Sequence, residues 1–222
     1  MNGQELLAEL AVVTRAVRQQ AWVAEDIGDT RAGPADPMSG LDSAGFGWLA
    51  PFVSFLREPL DQLSGNAAPV TCGAREYEHA SQDVISAVAT YRRMAGDAGY
   101  ADALDVLGQA CATVADALAG ARAVVERAAR VVAGTVADAI SEIVPVMAEA
   151  VARSRATFGT SIAEAVLRCV AIAVAAGERI AGTLAALLAS GQDLLELVAG
   201  AVAVMRAVTE LLSSHTTPEE NA

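Results

Sequence analysis

The sequence predicts an all-α protein of long antiparallel helical hairpins packed as an elongated bundle. Apolar residues make up 54% of the chain while aromatics make up only 4%, so a core must be built from Ala, Val, Leu and Ile. Over most of the 222 residues these apolar positions recur at alternating steps of three and four, the period of one helix face.

The first element spans residues 1–27. From Gln4 to about Glu25, Leu6, Leu10, Val13, Val17 and Ala21 share a face, with Glu5, Glu9, Arg15 and Arg18 elsewhere on the wheel. Residues 28–43, with Gly33, Pro34, Pro37 and Gly40, are expected to form a loop. Residues 44–64 hold the aromatic centre of the chain, Phe46, Trp48, Phe52 and Phe55. Pro51 and Pro59 break that segment into short helical pieces, each proline fitting best at a first helical position. Gly65 is expected to cap it, and Asn66 to Cys72, with Pro69 inside, to act as a connector.

A helix from about Ala74 to Ala95 carries Tyr77, Val84, Val88 and Tyr91 near one face. Arg92 and Arg93 suit its negative end, Gly96 suits a left-handed cap, and Asp97 caps the next helix, which together predict a helical hairpin. Beyond it, Leu104, Leu107, Cys111, Val114, Leu118, Ala121 and Val125 trace a coiled-coil seam on a helix running to about Ala152. Pro145 is expected to kink that helix, and Arg122, Glu126 and Arg130 to line a solvated face. The hairpin region thus covers residues 44–152.

Residues 153–213 are expected to form one long helix on the same bundle. Its seam runs Ile162, Val166, Cys169, Ala173, Ala176, Ile180, Thr183, Leu187, Gly191, Leu194, Val198, Ala201, Met205, Val208 and Leu212, about 75 Å if unbroken. Val170, Ile172, Val174, Leu188, Leu195, Val202 and Val204 lie off the seam, so one neighbouring helix cannot cover the apolar surface. A homodimer or heterodimer with a helical partner is therefore expected. The tail, residues 214–222, is polar and expected to be disordered.

The net charge is −12 and all 15 basic residues are arginine, which argues against nucleic-acid binding because no basic stripe is present to meet a phosphate backbone. Cys72, Cys111 and Cys169 are widely spaced and lack Cys-x-x-Cys geometry, and are expected to be buried small hydrophobes. His79 and His215 are too few for a metal site, so no metal or cofactor is expected. The sequence contains no Gly-x-Ser-x-Gly, phosphate-cradling glycine loop or His-Glu-x-x-His helix, and Asp97, Asp102 and Asp105 suit a helix start, so no enzyme is expected.

Met1 to Glu5 lacks a basic secretory n-region, and Arg168, Glu178, Arg179, Asp193, Glu196 and Arg206 interrupt the most apolar stretch, which disfavours a conventional membrane span. Glycines 108, 120, 134, 159, 177, 182, 191 and 200 fit close packing of soluble helices better than membrane notches. The aromatic segment suits a core, with a ligand pocket or a docking patch as the alternatives.

The run Ala44-Gly45-Phe46-Gly47-Trp48-Leu49, followed by Phe55-Leu56-Arg57-Glu58-Pro59-Leu60-Asp61-Gln62-Leu63-Ser64-Gly65-Asn66, resembles the N-terminal helical domain of actinobacterial type VII (ESX-like) secretion substrates of the Trp-x-Gly class. Such domains are often leaders of polymorphic toxins. The resemblance extends through the hairpin to Gly99-Tyr100-Ala101-Asp102-Ala103-Leu104 and covers about Leu6 to Leu197. Met94-Ala95-Gly96 stands where the family carries Trp-x-Gly, keeping the glycine of the turn without the indole. The family's Tyr-x-x-x-Asp/Glu export signal is displaced: Leu104 follows Tyr100 by four residues, and Asp105 comes one position later.

The resemblance implies a non-enzymatic leader or partner-binding module. It implies export without a classical signal peptide from a cytoplasmic precursor, and a type VII component as partner. The residues it points to are the turn Met94, Ala95 and Gly96, the segment Phe46, Trp48, Phe52, Phe55, Pro59 and Leu60, and the signal candidate Tyr100 and Asp105. A different class of function remains open: a structural or pore-forming protein that meets membranes through its Gly/Ala-rich C-terminal helices.

Overall fold

A computed structural model of the chain describes residues 3–25, 27, 36–63, 68–93 and 98–216. The described residues are α-helical with short 3₁₀ turns and contain no strand, in agreement with the all-α class. The helices are α1 (Gly3–Arg18), α2 (Ser39–Ser43), α3 (Ala50–Val53), α4 (Arg57–Leu63), α5 (Ala68–Arg93), α6 (Ala98–Arg153) and α7 (Thr160–Thr216). Two compact units emerge. The first is assembled from residues 1–23, 66–123 and 189–222, and the second from residues 24–65 and 124–188.

In the first unit α1 buries Leu6, Leu10, Val13 and Val17, as its periodicity requires. Leu6 and Leu10 pack in one cluster with Ala103, Val106 and Ala110 of α6 and Val204 and Val208 of α7. The helix stops at Arg18 rather than near Glu25. Gln20 takes a left-handed φ of 52°, the Ala21 N–H reaches the Ala16 carbonyl (3.0 Å) and the Gln20 N–H reaches the Val17 carbonyl (3.1 Å), the paired bonds of a Schellman cap. This reversal lets Trp22, 3% exposed, bury in the unit, its ring edge 3.2 Å from where a Cβ on Gly120 would stand. Its indole N–H has no acceptor among the described residues.

The helix α5 begins at Ala68, not Ala74, so part of the expected connector is helical and Pro69 sits in the first turn, where its missing N–H costs nothing. Ser81 of α5 donates to the Gly108 carbonyl of α6 (2.9 Å), and a Cβ on Gly108 would meet Ile85 at 3.3 Å and Val84 at 3.4 Å. Close approach thus explains glycine there, and at Gly200, where the Cβ would be 3.4 Å from Val13. A Cβ on Gly182 or Gly191 meets nothing, so close packing does not explain those two.

In the second unit Leu41, Leu49, Val53 and Leu56 pack in one cluster with Val136, Ile140, Ile143 and Met147 of α6 and Cys169, Ala173, Ala176 and Ile180 of α7. The expected loop 28–43 ends in a helix instead. Asp36 accepts a bond from the Met38 N–H (3.2 Å), the Ser39 hydroxyl donates to the Asp36 carbonyl (2.7 Å), and α2 then buries Leu41. Gly45, at φ 79°, closes α2 in a second Schellman arrangement, with the Phe46 N–H on the Leu41 carbonyl (2.8 Å). Residues 28–35 and the Gly65 cap lie outside the described residues.

The seam expected on α6 is displaced by one residue. Ala103, Val106, Ala110, Thr113, Ala117 and Val124 are buried, Cys111 and Val114 stay inside with them, Leu104, Leu107, Leu118 and Ala121 are half-buried, and Val125 is exposed. Small residues sit where neighbouring helices come closest, and the leucines flank them. α6 runs unbroken to Arg153 with Pro145 on its exposed side. Its turn into α7 passes through two consecutive left-handed residues, Phe158 at φ 48° and Gly159 at φ 85°, with the Gly159 N–H on the Ser154 carbonyl (3.0 Å). The α7 seam is placed as expected at Cys169, Ala173, Ala176, Ile180, Thr183, Leu194, Ala201 and Val208, which are buried, but Gly191 is exposed beside buried Ser190, and Val204, expected off the seam, is buried in the core of the first unit. That helix extends to Thr216, into the segment expected to be disordered.

Candidate functional site

The segment from Gly47 to Leu63 builds its surface by a one-residue offset. Leu49, Val53 and Leu56, at steps of four and three, face the core at 1% exposure each. Trp48, Phe52 and Phe55 each stand one residue earlier, a rotation of about 100° on a helical path, and face outward at 49%, 51% and 43% exposure. The expectation that the aromatic cluster is core is therefore corrected: the aliphatic residues between the rings are the core, and three rings form a surface. A 3₁₀ turn over Gly47–Leu49, α3, and a second 3₁₀ turn over Ser54–Leu56 set this trace, with Pro51 in the first turn of α3 as expected. Phe55 leans on α7, its Cε2 3.2 Å from a Cβ built on Gly177, so glycine there admits the ring. Phe46 and Leu60 are half-buried against the same cluster, and Pro59 is half-buried inside α4, beyond its first position.

The turn candidates Met94, Ala95 and Gly96, with Asp97, lie outside the described residues. The helix ends on either side are drawn together. Tyr91 and Tyr100 pack ring to ring at 5.0 Å with a 41° tilt. Arg92 pairs with Asp102 at 3.1 Å and Asp105 at 3.9 Å. The signal candidates Tyr100 and Asp105 are thus each held by α5, through a ring contact and an exposed ion pair respectively. Arg122, on the expected solvated face, also donates to Thr71 of α5 (3.1 Å).

A groove of about 440 Å³ between α5 and α6 is lined by Arg75, Glu78, Gln82, Asp116 and Arg122 among others, mixing both signs of charge. Among the described residues no group of three His, Cys, Asp or Glu side chains is placed to hold a metal ion. Cys111 and Cys169 are buried as expected, and burial pushes both thiols up, against a smaller downward pull of Arg168 on Cys169. Cys72 is exposed instead, its thiol 3.5 Å from a Glu76 carboxylate oxygen, because that stretch is the first turns of α5 rather than a packed connector.

Two features escaped the sequence pattern. Trp22 falls past the end of α1, where helical periodicity carries no information. Leu167, 72% exposed on α7, adds to an outward apolar row with Val174 (47%) and Leu188 (71%). Both α6 and α7 are long and apolar enough to cross a membrane by length and composition alone, with 39% and 28% of the most apolar windows buried. No family model, curated protein or solved structure matches the chain.

Proposed function

We propose that this chain is a non-enzymatic helical docking module of the type VII secretion-associated kind, acting as a leader or partner-binding domain. The observation that carries this reading is the outward face of Trp48, Phe52 and Phe55, presented by a segment whose Leu49, Val53 and Leu56 anchor it to the core. Rigidly mounted aromatic side chains supply large contact area at low entropic cost, the property of interface anchors. The same segment carries the strongest resemblance to the Trp-x-Gly class, and Tyr100 and Asp105 stand together with Arg92 and Tyr91 at the hairpin ends. The test is export. Expressed with an epitope tag in an actinobacterium, the chain is expected in the culture filtrate of the parent and absent from that of a strain lacking the type VII ATPase. Retention inside both strains, with the protein intact, would remove export from the account.

The low burial of the α7 window favours one other reading, a protein whose α6 and α7 enter a membrane after opening. Dye-loaded vesicles of anionic lipid separate the two. Release of dye across a range of pH supports the membrane reading, and tight vesicles throughout exclude it.

A further inference from the structure

We propose that α5 is a strap that opens from α6 while α1, α6 and α7 stay packed in the first unit. Between Thr71 and Arg93 its only buried side chains are Ser81 and Val88, at 5% and 4% exposure. The shorter α1 buries four large aliphatics, Leu6, Leu10, Val13 and Val17. Ile85, the largest aliphatic side chain of α5, is 49% exposed. Apolar burial ties a helix to its neighbours, so α5 is the least firmly held of the long helices.

The polar ties run along the same line. α5 lies antiparallel to α6, with Tyr91 beside Tyr100, Ser81 beside Gly108 and Gly73 beside Leu118. The bond from the Ser81 hydroxyl to the Gly108 carbonyl (2.9 Å) is buried. The ties from Arg92 to Asp102 and Asp105, and from Arg122 to Thr71, are exposed, and exposed ion pairs are worth little. In its N-terminal half α5 stands off α6 and leaves the groove of about 440 Å³. The α6 alanines lining that groove, Ala112, Ala115 and Ala119, are half-buried or exposed with α5 in place, so opening uncovers little further apolar area there. Opening also frees the Tyr100 ring from Tyr91 and the Asp105 carboxylate from Arg92. If those two residues serve a partner, α5 controls access to them; the strap itself does not depend on that reading.

Amide hydrogen exchange of the full chain, resolved by mass spectrometry, tests the strap independently of export. A detached helix of this length is marginal in water, so α5 amides exchange once it opens. Residues 72–90 are expected to exchange about a hundredfold faster than residues 103–117 of α6. Ser81→Ala and Val88→Ala should each speed α5 about tenfold further and leave residues 103–117 unchanged. Equal protection of the two segments in the parent, or variants that affect both segments alike, would overturn the proposal.

Discussion

The two tryptophans divide the molecule by what each side chain is for. Trp22 lies 3% exposed beyond the end of α1, against Gly120, and Trp48 lies 49% exposed in the segment Gly47–Leu63. Both regions do the same structural work, laying aliphatic residues on the long helices: Leu6, Leu10, Val13 and Val17 from α1, and Leu49, Val53 and Leu56 from the aromatic segment. They differ in what is turned outward. The α1 wheel turns Glu5, Glu9 and Arg18 to water, while the second segment turns out Trp48, Phe52 and Phe55. The aliphatic core closes without those three rings, which stay at the surface.

The sharpest way to break this contrast is to truncate each tryptophan. Trp22→Ala should cost about 3–5 kcal/mol, the range for an emptied large buried site, and Trp48→Ala under about 1 kcal/mol. Equal losses in denaturant unfolding would erase the distinction. Trp22→Phe sharpens it further: it deletes the indole N–H that lacks an acceptor, so its cost should fall well below that of Trp22→Ala.

Within the aromatic segment the same contrast holds over neighbouring positions. Leu56→Ala, on the inward face, should lose about 2–5 kcal/mol, and Phe52→Ala, on the outward face, within about 0.5 kcal/mol of the parent. If Phe52→Ala proved as costly as Leu56→Ala, the outward rings would be core after all.

The smallest effect has the opposite sign. Phe158 holds a left-handed φ in the turn between α6 and α7, where a Cβ costs about 1–2 kcal/mol, and its side chain is 98% exposed. Phe158→Gly should therefore raise stability by about 1 kcal/mol, seen as a thermal midpoint higher by about 2–4 °C. A lower midpoint would mean that the ring makes contacts that outweigh the backbone strain.

The fold class and most of the α7 seam are legible because apolar residues repeat there with few interruptions, whereas Val204, read as off the seam, is buried and Gly191, read as on it, is exposed. The α6 seam was misplaced by one residue because periodicity follows Leu104, Leu107 and Leu118, while helices approach closest at Ala103, Ala110 and Ala117. Aromatic composition pointed inward at Trp48, Phe52 and Phe55, yet facing depends on the offset between rings and aliphatics, which Pro51 and the 3₁₀ turns set. The cap at Gln20 is invisible in the sequence because glutamine gives no signal for a left-handed conformation, so periodicity alone carries the expected helix past Trp22. The candidate site was legible in its residues and not in its orientation.

The most direct test of the outward aromatic face is the variant Trp48→Ala, Phe52→Ala, Phe55→Ala, followed by thermal unfolding and by export from a type VII-competent cell. The account predicts a midpoint within about 5 °C of the parent, since exposed sites contribute little to stability, together with loss of the exported protein. A collapse of the midpoint, or export at the parental level from a stable variant, would contradict it.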